Sequence, residues 1–238
     1  MAAGTMLTKT RGAGGEYKSD QFPESSVVGI DLSRIQPTMQ LSIETDQHFR
    51  VAPNVEFFID DLEADWNFVR PFDFIYARFL TGSIKDWPRF FAQALEHMNP
   101  GGYLEACDIV SPIRSDDGTL PADCALMKWV SLLLDASKMI GAPGDSVQHY
   151  EQQMTDAGFQ NVTKVEYKWP INTWPKDPKY RTIGKWSYVN MTSALHALSM
   201  MLFTQVLGWS PEEVEVFLID VRKDLRNTNI HAYWPISY

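Results

Sequence analysis

Two aspartates stand directly after apolar runs that predict β-strands. Asp31 ends residues 27–31 (VVGID), and Asp61 follows residues 54–59 (NVEFFI). Short apolar runs closed by acidic residues are typical of buried parallel strands. Ligands of open α/β sheets bind beyond the carboxyl ends of such strands, so both carboxylates are candidate ligand contacts.

The chemistry of these carboxylates favours an adenosine-containing ligand. A carboxylate has two acceptor oxygens and the vicinal hydroxyls of a ribose are two donors, which suits Asp31 to a ribose. Asp61 could accept the amino group of an adenine, while the Leu62 amide faces the ring nitrogen. The alternative for each aspartate taken alone is that it only caps the turn after its strand.

Other chemistries have little support in the sequence. It contains no G-x-S-x-G, H-E-x-x-H, Walker or C-x-x-C motif. The five histidines are scattered, and the two cysteines cannot form a four-ligand zinc site alone. We therefore predict no metal site and assign no catalytic residue. A nicotinamide-dependent dehydrogenase is a further hypothesis, because an acid after a strand also fits that cofactor. The absent G-x-G-x-x-G and the second acid, Asp61, count against it.

Charge and hydropathy limit the partners. The net charge is −9, which disfavours a nucleic-acid binder or a binder of anionic membranes. The mean hydropathy is −0.24, and no apolar run approaches the roughly 20 residues that span a bilayer. We predict an intracellular protein of the cytoplasm or nucleus, with no direct nucleic-acid or membrane contact.

The remaining pattern predicts an α/β fold. A strand at 72–76, a helix begun by the capping box Ser83–Asp86 and a strand at 103–107 imply a parallel sheet with right-handed crossovers. Further helices are predicted at 121–140, 146–157 and 183–207 and after Ser210. Residues 162–169 predict a half-exposed strand. A strand at 231–238 is expected at a sheet edge or end, because it contains a proline.

The amino-terminal residues differ from the rest. Residues 1–26 have no apolar periodicity and predict a disordered leader, with a transit peptide as the alternative. Within them, Gly12-Ala-Gly-Gly15 is interpreted as a linker. Residues 27–238 would then form the folded domain.

Four segments together resemble the class I S-adenosylmethionine-dependent methyltransferases, and within them the LaeA-like group of fungal secondary metabolism. They are residues 22–37, 54–68, 72–108 and 207–234, with the motifs IDLS-x-IQP, IDDLE, GS-x-KDWP and NPGG. The resemblance implies a Rossmann-like, mostly parallel sheet with an antiparallel last strand. It also implies a helical lid at about residues 110–160 and 183–226.

The resemblance assigns the cofactor, S-adenosyl-L-methionine, to particular residues. Asp31 would be the ribose acid, with Leu32 beside it, and Asp61 and Leu62 would contact the adenine. Arg78 would belong to the segment that faces the methionine part. The implied function is methyl transfer in secondary-metabolite biosynthesis or its regulation.

The sequence departs from this family in two places. The glycine-rich D-x-G-x-G-x-G loop and its strand are not recognisable before residue 22, and residues 38–50 look like an insertion. We therefore expect the first central strand to be missing or degraded and cofactor affinity to be reduced, with truncation or altered splicing as the cause. The alternative function is a non-catalytic accessory or scaffold protein of such a pathway.

The acceptor of the methyl group is less defined. A general base is needed only for a hydroxyl or amine acceptor, and the candidates near a lid pocket are His149, Tyr150, Tyr188 and His196. The eight tryptophans, among them Trp169, suit a flat aromatic small-molecule substrate or plain packing of the lid. A protein partner in a pathway or regulatory complex is the other expected partner.

Overall fold

The computed structural model describes the backbone of residues 5–10 and all of residues 24–32 and 54–238. The strands are β1 (Thr5–Thr10), β2 (Ser26–Asp31), β3 (Val55–Ile59), β4 (Phe72–Arg78), β5 (Met98–Ile109), β6 (Arg114–Ser115), β7 (Glu166–Pro170) and β8 (Ala232–Ser237). The α-helices are α1 (Trp87–Glu96), α2 (Ala125–Met139), α3 (Tyr150–Ala157), α4 (Pro178–Met201) and α5 (Pro211–Arg226). A 3-10 turn at Ser146–His149 precedes α3, and a π-helical turn at Leu202–Val206 follows α4.

The strands form one mixed sheet in the order β3-β2-β1-β4-β5-β8-β6, with β7 also paired to β8. β2 is parallel to β3, and β4 is parallel to β5. β1 is antiparallel to both β2 and β4, so those two strands run in the same direction. β8 is antiparallel to β5, β6 and β7. The predicted Rossmann-like α/β fold with an antiparallel last strand is confirmed, as a mixed sheet in which, among the described strands, only β2–β3 and β4–β5 pair in parallel.

The central position of the sheet is filled by a strand from the amino-terminal residues. Leu7 of β1 pairs with Gly29 of β2 on one side and with Tyr76 of β4 on the other. The prediction of a disordered leader is therefore wrong for Thr5–Thr10. Threonine is common in strands, and leaving the facing edges of β2 and β4 unpaired would cost about 1–3 kcal/mol per buried polar group. The remaining residues before 24, with the Gly12–Gly15 segment, and residues 38–50 lie outside the described residues.

The first hydrophobic core lies between the sheet and helices α1 and α3. Ile75 of β4 packs there with Phe90 and Phe91 of α1. Tyr150 of α3 contacts Trp87, with 4.2 Å between ring centroids. This core fixes the parallel strands against α1 and α3.

A second core lies beneath the later helices. Trp129 of α2, Leu195 of α4, Leu218 of α5 and Trp234 of β8 are buried together. The Trp129 indole donates a hydrogen bond to the Ser199 hydroxyl at 2.8 Å. Helices α2, α4 and α5, which lie in the segments expected to form a lid, therefore have a core of their own, whereas α3 from the same segments packs in the first core.

The expected edge position of the last strand is wrong. β8 has β7 on one side and β5 and β6 along its length, and all of its residues are buried. Pro235 is tolerated because β5 ends its pairing at Ile109 and β6 begins at Arg114, which breaks the ladder near the proline.

The two predicted helix starts have different outcomes. Ser210 and Glu213 form the predicted capping box of α5. α1 begins after Asp86, whose carboxylate accepts from the Arg89 amide, so Ser83 is not its cap. Across the part of the chain that the structure describes, no helix is both long and apolar enough to cross a membrane.

Candidate ligand site at the carboxyl edge of the sheet

Asp31 lies at the carboxyl end of β2, beside the end of β3. It pairs in register with Ile59, and the Asp60 amide donates to the Asp31 carbonyl oxygen at 3.2 Å. Asp31 is only 4% exposed, whereas the next residue, Leu32, is 63% exposed. The buried acid and the exposed apolar side chain are thus neighbours at one edge of the sheet.

Asp61 lies in the exposed turn after β3 and already caps it. Its Oδ1 accepts from the Glu63 amide at 2.9 Å, so the capping interpretation holds for one oxygen. Leu62 is buried in the first core, and its carbonyl accepts from the Trp66 indole at 3.1 Å. A ligand at this turn would therefore meet the backbone of Leu62 and not its side chain.

Helix α1 holds the Asp61 turn in place. The Gln93 side chain accepts from the Trp66 amide at 2.9 Å and donates to the Ala64 carbonyl at 3.1 Å. The Arg89 guanidinium donates to the Glu63 carbonyl. The part of the turn that follows Asp61 is thereby fixed to one helix, a positioning that the IDDLE motif did not indicate.

Arg78 ends β4 on the far side of β1. Its guanidinium lies 4.7 Å from the centre of the Phe79 ring, and its side chain is exposed. β1 separates it from Asp31, because Thr5 pairs with Arg78 and Met6 pairs with Ile30. The edge therefore presents Asp61, Asp31, the first residues of β1 and Arg78 in that order.

The direction of β1 decides where its connection to β2 can lie. Thr10 pairs with Ser26, so the connection between these strands starts and ends at the opposite, amino edge of the sheet. The Gly12–Gly15 segment belongs to that connection and is not among the described residues. Within the described strands, no glycine-rich loop follows β1 at the carboxyl edge.

A groove of about 1820 Å³ runs along β4 and β5 and includes Tyr76, Arg78, Glu105, Tyr150, Trp169 and Tyr238 among its lining residues. The Cys107 thiol lies between the hydroxyls of Tyr76 and Tyr238. Burial raises the pKa of this thiol and raises the pKa of Tyr238 to about 12. At neutral pH these groups are protonated, so they act as polar contacts and not as nucleophiles.

The four candidate bases are not brought together. Tyr150 is buried and lines the groove, whereas His149 is exposed beside it. The exposed His196 ring lies 3.0 Å from Glu215, and the Tyr188 hydroxyl accepts from Arg226 at 3.5 Å. Both of these contacts join α4 to α5, away from the groove.

The tryptophans of this half of the chain have separate roles. Trp169 lines the groove and packs edge-to-face on Phe79. Trp174 stacks on His231 and donates to the Ala232 carbonyl at 2.9 Å. Trp186 is an exposed residue of α4. Packing therefore accounts for Trp174, and only Trp169 of these three is placed to meet a substrate.

Sequence reasoning missed Asp108 as a functional residue. It lies near the carboxyl end of β5 and contacts Leu80 and Tyr150 of the first core. This carboxylate is 1% exposed, and burial raises its pKa to about 7. The available signal was its place as a third acid at the end of a parallel strand. Among the described residues, no group of histidine, cysteine and acidic side chains is arranged to hold a metal ion.

Comparison with known proteins identifies the family of this chain. The family model described as a methyltransferase domain matches residues 12–164, and the chain belongs to this family. It is 41% identical over 218 residues to methyltransferase pytC of Aspergillus terreus, covering 91% of this chain and 64% of that protein.

Two further proteins are similar to this chain. The secondary metabolism regulator LAE1 of Cochliobolus heterostrophus is 32% identical over 219 residues, covering 90% of this chain and 68% of that protein. The solved structure of the cyclopropane synthase MmaA2 from Mycobacterium tuberculosis covers 89% of this chain and 69% of its own, with a TM-score of 0.46 and 16% identity. The chain thus spans about two thirds of the length of the curated relatives named here.

Proposed function

We propose that this chain binds S-adenosyl-L-methionine at the carboxyl edge of the sheet and transfers its methyl group in fungal secondary-metabolite biosynthesis or its regulation. The observation that carries the proposal is the buried Asp31 carboxylate, placed next to the Asp61 turn on an adjacent parallel strand. Membership of the methyltransferase domain family supports it.

The residues at this edge fit the adenosine half of the cofactor. Asp31 would accept the two ribose hydroxyls, Leu32 would lie against the adenine, and Asp61 would accept its amino group. Arg78, with its exposed guanidinium, would pair with the methionine carboxylate. When bound, S-adenosylmethionine supplies an electrophilic methyl group on a sulfonium. The protein would align the acceptor and exclude water.

The groove beside Arg78 favours a small-molecule acceptor with a flat aromatic part. Tyr76 and Trp169 supply aromatic walls, and Glu105 supplies an acceptor for a hydroxyl or amine donor. A protein acceptor or partner is the alternative, since LAE1 carries the name of a regulator.

Calorimetric titration with S-adenosylmethionine tests the proposal. Asp31→Asn removes the charge but keeps the size, and we expect it to weaken binding by roughly tenfold to a hundredfold, the range for one or two hydrogen bonds to a charged group. Asp123→Asn, which changes an exposed aspartate outside the site, is the matched control and should bind as the wild type does. Equal affinity of the Asp31 variant, or no binding at millimolar ligand, would contradict the proposal.

A non-catalytic accessory role is the second candidate function. The observation that favours it is the direction of β1, which is antiparallel to both β2 and β4. This direction leaves the described carboxyl edge without a glycine-rich loop. Deleting the gene and replacing Asp31 by Ala in the producing fungus separates the two. Loss of product only on deletion would support the accessory role, whereas loss in both strains would support catalysis.

A further inference from the structure

Asp108 joins two separate parts of the chain through one carboxylate oxygen. Its Oδ2 accepts from the backbone amides of Leu80 and Thr81 at 3.1 and 3.0 Å. The same oxygen accepts from the Tyr150 hydroxyl at 3.1 Å. Leu80 and Thr81 belong to the loop after β4, and Tyr150 begins α3, so a buried carboxylate connects loop and helix.

Neighbouring contacts reinforce the connection. The Thr81 and Ser146 hydroxyls are 2.9 Å apart, which ties the loop to the turn that precedes α3. The Tyr150 ring is held by Trp87 and Phe91 of α1, at 4.2 and 5.4 Å between centroids. These two ring contacts fix the position of Tyr150, and with it the hydroxyl that donates to Asp108.

The loop held in this way begins at the candidate cofactor site. Arg78 is its preceding residue, and Phe79 has a positive φ of 54°, a strained conformation for a non-glycine residue. Phe79 also donates its amide to the Cys107 carbonyl at 2.9 Å, next to Asp108 in the chain. Strain of this kind persists only where the surroundings fix the backbone, and here the adjoining amides are fixed by Asp108.

We propose that Asp108 is a positioning residue that, together with Tyr150, clamps the loop after β4 and so holds Arg78 in place for the cofactor. The role in cofactor binding rests on the proposed function above. The clamp itself is a property of the loop and of α3, and it can be measured without any ligand.

Amide hydrogen exchange in the full chain measures the clamp directly. In Asp108→Ala, the Leu80 and Thr81 amides lose their acceptor, and we expect each to exchange at least about tenfold faster, the effect of losing one hydrogen bond to a charged group. Asp108→Asn should largely restore protection, because its amide oxygen can occupy the position of Oδ2. The β5 amides, measured in the same samples, report any general loss of stability.

Tyr150→Phe tests the helix side of the clamp and keeps the ring packing. We expect it to weaken S-adenosylmethionine binding by about tenfold, with a smaller rise in exchange at Leu80 and Thr81. Asp123→Ala changes an exposed aspartate before α2. It is the matched control and should leave both measurements as in the wild type.

The outcomes separate the clamp from the proposed function. Unchanged exchange at Leu80 and Thr81 in Asp108→Ala would overturn the clamp, whatever the cofactor does. Faster exchange at Leu80 and Thr81 in Asp108→Ala with unchanged cofactor affinity, or unchanged cofactor affinity in Tyr150→Phe, would overturn its role in binding. If the wild type binds no S-adenosylmethionine, the proposed function and the role of Asp108 in binding fail together, while the exchange result still decides the clamp.

Discussion

The acidic residues of the sheet differ in burial, and burial separates their roles. Asp31 and Asp108 are buried at the ends of β2 and β5, at 4% and 1% exposure, whereas Asp61 is exposed and partly used by its own turn. Asp31 lies on a paired strand, in register with Ile59 of β3, which fixes its position at the edge of the sheet. Asp31 therefore carries the ligand proposal more strongly than Asp61, although the sequence treats the two as equivalent.

Asp108 makes the stability of the protein depend on pH. Burial raises its pKa from 3.8 to about 7, so between these values the folded protein holds a proton that the unfolded chain has lost. The unfolded state binds fewer protons in this range, and the free energy of unfolding must fall as the pH rises. Across this range the shift lowers the free energy of unfolding by about 4 kcal/mol in total.

We therefore expect urea unfolding to show a fall in stability from about pH 4 to pH 7, and Asp108→Asn to lose this part of the dependence. Asp123→Asn removes an exposed carboxylate and should keep the wild-type slope. If the slope of Asp108→Asn equals that of the wild type, the carboxyl of Asp108 titrates normally in the folded state.

At the scale of elements, Gly184 of α4 lies against Asn172 in the segment that connects β7 to α4. A Cβ added to Gly184 would overlap the carbonyl group of Asn172, a backbone atom that has little room to move. Asn172 is itself buried, and its amide group donates to the Leu225 and Asn227 carbonyls at the end of α5, at 3.0 and 3.1 Å. One close approach thus fixes α4 and the end of α5 together.

Gly184→Ala should lower the free energy of unfolding by roughly 1–3 kcal/mol, the usual cost of overpacking, although alanine favours helices. Denaturant unfolding followed by circular dichroism measures this. Lys185→Ala, on the exposed side of the same turn, should leave stability within about 0.5 kcal/mol. A Gly184→Ala protein as stable as the wild type would show that α4 can shift away from Asn172 freely.

Strands and helix starts could be predicted where a short stretch of sequence determines them. The apolar runs of β2, β3 and β4 and the capping box at Ser210 are visible in the sequence and are confirmed. The turn that carries Asp61 was predictable, but its anchoring by Gln93 was not, because the two are 27 or more residues apart and only the packing of α1 joins them.

At the scale of the whole molecule, the sheet depends on β1, which pairs on both of its sides. Leu7→Pro removes the donor of a ladder hydrogen bond from the middle of this strand and leaves its acceptor unpaired, and we expect the free energy of unfolding to fall by about 1–3 kcal/mol. Leu7→Ala keeps the amide and is the matched control, so the difference between the two variants in urea unfolding reports the strand pairing. Equal stability of the two variants would show that β1 contributes little to the sheet.

The sequence by itself determined the family, the parallel strands and the acids at their ends, because apolar runs, caps and motifs are local in the chain. Only the tertiary structure decided the direction of β1, the internal position of β8 and the contacts of Asp108. Strand direction and burial depend on which distant backbone edges need partners, and a linear pattern does not contain that information. For this reason the ribose acid could be proposed from residues alone, whereas the clamp behind Arg78 became visible only in the folded chain.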